Sequence, residues 1–204
     1  AAAYGVIKGV LWHQGEYNSS GSNSNPSPEP ELYAQRLSAL VANLRNDLGV
    51  PGLPFVCGKF VPPWTNSSGT AFTIPSLTQR DIVEAALMNL SNQQANTACV
   101  DNTGLIGRED QTIHFDAASQ RELGRRYAQK MLAMYADPYR LYLGGFYTPT
   151  QLTNAALTDP QADNDLDGEP NYLEYAFNTR PNDAASVAHF RGELYVTNIL
   201  GTNL

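Results

Sequence analysis

Within the first 136 residues, one pattern occurs three times: a short apolar run, a polar loop, then a longer segment whose apolar residues recur at helical spacing. No other feature limits the possible folds as much. The first run spans about residues 6–12 and the second is PFVCGKFV, 54–61. The third, TACVD, spans 97–101. The helical segments are ELYAQRLSALVANLRNDLG, a stretch near 77–91, and DAASQRELGRRYAQKMLAMYA at 116–136. Tyr33, Leu37, Leu40, Val41, Leu44 and Leu48 form the stripe of the first, and Gly49 fits its stop. Ile82, Val83, Ala86, Leu87 and Leu90 form the stripe of the second, and Asp116 suits the N-cap of the third. Val- and Phe-rich strands alternating with helices predict an α/β fold: a parallel sheet covered by helices on both faces.

In such sheets, sites lie beyond the carboxyl ends of the strands. Trp12, His13, Gln14 and Glu16 follow the first strand, and the loop 102–116 follows the third. Both are predicted to reach the same edge. His114, on the second loop, has the chemistry of a general base toward a hydroxyl. A carboxylate must orient it, and the sequence offers Asp110 from the same loop or Glu16 from the first. Gln14 can aim an amide N–H at a developing oxyanion. Singly these signals are weak: a lone loop histidine is most often a surface residue, and Gln-Gly-Glu is most often just a turn. His13 and Glu16 are two potential ligands with no third in reach, which argues against a metal there.

In combination they are specific. WHQGE after IKGVL, PFVCGKF in the middle and IHFDAASQRELGRRYA at the close resemble the SGNH/GDSL-type hydrolases, in particular the sialic-acid O-acetylesterase-like and carbohydrate esterase family 6 group. The resemblance covers residues 4 to about 136. It implies a flavodoxin-like three-layer α/β/α fold and hydrolysis of acetyl esters on carbohydrates through a serine acyl-enzyme. It makes His114 the catalytic base and gives Gln14 the oxyanion role, with Glu16 as the family glutamate. Many relatives carry an Asp three residues before the histidine, where this chain has Gln111, so Asp110 and Glu16 both stand as the orienting acid. His13 and Trp12 are expected to position the loop.

The family's serine sits in a Gly-Gln-Ser-Asn-like segment, and this sequence has none. None of the serines before His114 lies in a strand-to-helix turn flanked by glycines. The expectation is that the chain begins after the first strands of the domain, is nearly inert alone, and exposes a sheet edge prone to pairing.

A second motif lies outside that domain. From Asp163 the chain reads D-x-D-x-D-G-x-x-N-x-x-E. Asp163, Asp165, Asp167, Glu169 (through its carbonyl), Asn171 and Glu174 occupy the ligand positions of an EF-hand-like calcium loop, and Gly168 the sharp turn. Calcium is a hard cation that takes six to eight oxygens, which closely spaced carboxylates supply. Pro170, without an N–H, argues for a single loop rather than a paired EF-hand. The pattern is similar to Asp-rich linkers after catalytic domains in secreted bacterial proteins. It predicts structural Ca2+ and no catalytic cofactor.

Composition narrows the partners. Of the formal net charge of −7, most sits in residues 159–183, where seven acids face only Arg180. Nucleic-acid binding, which needs basic surface, is disfavoured. No apolar run is long enough for a membrane span, and no signal peptide is visible. Three lysines among 204 residues and a calcium loop fit a secreted, periplasmic or cell-surface protein. Cys57 and Cys99, in apolar strands, read as thiols, with a disulfide open if the strands are neighbours. The predicted organisation is 1–137 esterase-type domain, 138–158 linker or covering segment, 159–183 calcium loop, and 184–204 the start of a β module. The competing functional expectation is a calcium-dependent attachment module carrying a non-catalytic hydrolase remnant.

Overall fold

The computed structural model describes residues 5–19, 29–62, 64–65, 71–72, 77–108 and 114–188. Asp110 lies outside them, as do residues 189–204 of the β module expected over 184–204. Two compact units divide the chain, Ala1–Thr158 and Asp159–Leu204.

In the first unit, β1 (Val10–Trp12) leads into a single helical turn, α1 (Glu16–Ser19). A 3-10 turn at Pro30–Leu32 opens α2 (Tyr33–Leu48). After β2 (Phe55–Gly58) come two short strands that pair antiparallel where only loop was predicted, β3 (Trp64–Thr65) and β4 (Ala71–Phe72). Then follow α3 (Leu77–Met88), α4 (Leu90–Gln93), β5 (Thr97–Val100) and α5 (Ala117–Tyr135). The helix predicted over 77–91 breaks at Asn89. Both the backbone N–H and the side-chain amide of Asn89 donate to the Ala85 carbonyl, the local competition that makes asparagine a poor helix former. The strands are shorter than predicted, with β1 starting at Val10 and β2 ending at Gly58, while two helix ends hold. Gly49 closes α2 in the left-handed region, φ +64, and the Asp116 carboxylate accepts from Ser119 N at 2.6 Å to start α5.

β1, β2 and β5 form a parallel sheet in the order β1-β2-β5. Alternation along β2 divides the core in two. Phe55 and Cys57 face one side with Tyr33, Leu37 and Val41 of α2 and Val83 and Leu87 of α3. Val56 faces the other with Leu123 and Tyr127 of α5. The result is the predicted helix–sheet–helix layering. Cys57 and Cys99 are register partners on β2 and β5 and are free thiols.

Residues 138–158 are more structured than a linker. α6 (Pro138–Leu143), a 3-10 turn at Gln151–Thr153 and α7 (Ala155–Thr158) gather Leu143, Tyr147 and Leu152 around Ala95. Asn96 fastens this segment by donating to the carbonyls of Leu141 at 2.7 Å and Gly52 at 3.2 Å.

The second unit holds an acidic loop and a short helix, α8 (Asn171–Phe177), closed by Asn178 in the left-handed region, φ 57.

Candidate functional site

The loop after β1 is shaped by Gly15. Its φ is +136, and a Cβ there would lie 2.7 Å from Phe60 Cζ and 2.9 Å from Val83 Cγ1. A side chain is excluded both by the backbone angle and by the packing. The turn sends the chain straight into α1 and leaves Gln14 on the edge. Tyr33 fixes Gln14 from α2: its hydroxyl donates to the Gln14 carbonyl at 2.7 Å and lies 3.3 Å from Oε1. Burial pushes the Tyr33 hydroxyl up to about 12, so it is a neutral donor at physiological pH. Gln14 Nε2 donates to Asn18 Oδ1 at 3.0 Å. An amide nitrogen carries two hydrogens, so this bond uses half its donor capacity.

His13 Nε2 lies 3.5 Å from Glu16 Oε1, with the imidazole side chain 31% exposed. On its other edge, Nδ1 lies 3.1 Å from the Tyr127 hydroxyl of α5. That hydroxyl donates its single hydrogen to the Trp12 carbonyl at 2.8 Å, so its oxygen accepts from His13 Nδ1–H. Burial holds the His13 pKa below 6.5, with Glu16 opposing the shift. Tyr127 fits only because position 58 is glycine: a Cβ there would collide with its hydroxyl. Glu16, a candidate partner of His114, thus has His13 beside it.

The second loop folds back on itself. Gly107 and Phe115 form an antiparallel bridge, and Arg108 N donates to the His114 carbonyl at 2.9 Å. Phe115 is buried in the core on the α5 side. His114, next to it, is exposed and lines an open cleft with Arg108, Ala117 and Gln120. The two loops meet where the His13 and Phe115 rings pack, centroids 5.8 Å apart. Gln14, Glu16 and His114 therefore share the carboxyl edge of the sheet. Tyr33 and Tyr127 carry no local signal of a site: both sit on helical stripes like any core residue. A glycine inside an otherwise apolar strand was the one available clue.

In the second unit, carboxylate oxygens of Asp163, Asp165 and Asp167 lie within 4.8 Å of one another. The Glu174 carboxyl is pushed up to about 7, first by burial and then by repulsion from Asp165, Asp167, Glu169 and Asp163. Asn171 is fully buried. Its amide donates to the Asp159 carbonyl at 2.8 Å and accepts from Asn164 Nδ2 at 3.1 Å.

Comparison with known proteins gives consistent matches to the first unit. Residues 1–133 match the family described as carbohydrate esterase, sialic acid-specific acetylesterase. Over 131 residues the chain is 31% identical to a probable carbohydrate esterase of Arabidopsis thaliana, covering 64% of this chain and 42% of that protein. It is 30% identical to an Arabidopsis thaliana protein solved by X-ray crystallography, covering 64% of this chain and 46% of that one, with a TM-score of 0.48. The chain spans less than half the length of the relatives it matches.

Proposed function

The chain belongs to the carbohydrate esterase family of sialic acid-specific acetylesterases, and we propose that it carries the base and oxyanion side of a carbohydrate O-acetylesterase site. His114 takes the proton from a serine hydroxyl as that oxygen attacks the acetyl carbonyl. Gln14 donates an amide N–H to the negative oxygen that forms. His114 then returns the proton to the departing sugar hydroxyl, and a water repeats the cycle on the acetyl-serine. Glu16 or Asp110 orients the histidine. The substrates are acetylated glycans, in keeping with a secreted, periplasmic or cell-surface location.

The observation that carries this reading is the meeting of the two loops through His13 and Phe115, with Tyr127 bonded to both Trp12 and His13. This contact supports the reading by tying the loop that carries Gln14 to the segment that carries His114.

The nucleophile belongs to the family's Gly-Gln-Ser-Asn-like segment, which is not in these 204 residues. Removing a triad member costs several orders of magnitude, so this chain by itself is expected to be nearly inert. The assay is acetate release from p-nitrophenyl acetate and acetylated xylan, by this chain and by a product of the reading frame that contains that segment. The longer protein should hydrolyse both, and His114→Ala should lower its kcat by at least about 1000-fold. Enzyme-like turnover by the 204-residue chain, abolished by His114→Ala, would refute the missing-nucleophile part. Full activity of the longer protein after His114→Ala would refute the site itself.

A further inference from the structure

We infer that residues 163–174 bind a calcium ion through the side chains of Asp163, Asp165, Asp167 and Glu174 and the carbonyl of Glu169. A cluster of acids is ordinarily just a solvated surface. Here the carboxylate that closes the cluster is not on the surface: Glu174 is 0% exposed, and neither of its oxygens has a hydrogen-bond partner. A buried, unpartnered carboxylate is among the costliest arrangements a fold can hold unless a cation faces it. The charged groups acting on it are Asp163, Asp165, Asp167 and Glu169 rather than any arginine or lysine.

The aspartates follow the same logic. Asp163 Oδ2 accepts from Gly168 N at 2.9 Å, and Asp167 Oδ1 accepts from Glu169 N at 2.7 Å. Each ties one oxygen to the loop backbone, and the other, Asp163 Oδ1 and Asp167 Oδ2, is buried without a partner. Both oxygens of Asp165 are likewise buried and unpartnered. The loop thus gathers six such carboxylate oxygens, the number at which calcium coordination begins. Leu166 and Gly168 adopt positive φ, 64 and 96, and the Leu166 side chain stands 85% exposed. The backbone curls so that alternate residues face inward and the leucine faces out.

Two side chains of the sequence motif are engaged elsewhere. The Glu169 carboxylate accepts from Ala188 N at 3.0 Å, so only its backbone is free to serve as a ligand. Asn171 spends its amide bracing Asp159 and Asn164. Calcium fits better than magnesium, which demands a near-ideal octahedron and dehydrates reluctantly.

The test titrates calcium into the metal-stripped 204-residue chain by calorimetry, with tyrosine-sensitised terbium luminescence as a second readout. Saturable binding at or below about 1 mM is expected. Glu174→Gln and Asp165→Asn should weaken it by at least about 30-fold. Glu169→Gln removes the same charge but no ligand side chain, and should change it less than about threefold. If a variant misfolds, calcium-dependent amide protection of α8 in the unaltered chain replaces it: slower exchange with calcium supports the site, and no change refutes it. Absence of binding up to about 10 mM calcium overturns the inference. So does an equal loss in Glu169→Gln and Glu174→Gln, which would mean diffuse attraction, or magnesium competing as well as calcium.

Discussion

His13 shows how a single side chain couples the site to stability. Its ring is held between Glu16, Phe115 and Tyr127, and burial keeps its pKa below the ordinary 6.5. Well above pH 6.5 the ring is neutral in folded and unfolded chains alike and has no effect on the balance between them. As pH falls from 6.5 through the folded value, the unfolded chain binds the proton more readily, so stability is lost. His13→Gln should flatten that acid limb in urea melts collected between pH 7 and pH 5. An acid limb of unchanged slope in the variant would remove His13 as its source. Gly15 acts by the opposite route, through having no side chain: any Cβ would meet Phe60 and Val83 and shift Gln14 from the edge.

Among the elements, α2 is tied to the sheet by an arginine on its buried face. Arg45 is 8% exposed and donates to the carbonyls of Leu53, Ala95 and Asn96, which lead into β2 and β5. Desolvation lowers its pKa to about 10, still leaving it charged at neutral pH. Charged donors to buried carbonyls contribute more than neutral ones. Arg45→Met keeps the packing stem and removes the donors. It should cost about 2–4 kcal/mol in denaturant unfolding, and a loss below about 0.5 kcal/mol would contradict the clamp. β1 presents a contrasting case: it pairs with β2 alone among the described residues, and its Leu11 is 61% exposed.

For the whole molecule, charge separates by unit. Residues 1–158 hold twelve acids against eleven bases, while 159–204 hold eight acids against two. Repulsion is thus concentrated where Asp163, Asp165, Asp167 and Glu174 converge. In calcium-free buffer, sodium chloride raised to about 0.15 M shortens the Debye length to about 8 Å and screens only part of that repulsion. Hydrogen exchange should therefore slow modestly in α8 and stay unchanged in α2 and α5. Equal slowing in all three helices would show that salt acts without regard to this charge separation.

Local patterns in the sequence were sufficient for the alternation of strands and helices, the Gly49 stop, the Asp116 cap and the gathering of Asp163, Asp165 and Asp167. Each depends on residues within one or two turns of each other, where period and backbone preference dominate. The break at Asn89 and the β3–β4 pair escaped, because such short elements carry little periodicity. What only the tertiary structure decided is who meets whom. Tyr127 reaches Trp12 and His13 from more than a hundred residues away, Arg45 finds Ala95 across fifty, and Phe115 packs on His13. Each looks like an ordinary helix or loop residue in its own segment. Their roles arise from the strand order β1-β2-β5 and from the two layers it separates: a partner distant in sequence leaves no mark on local spacing.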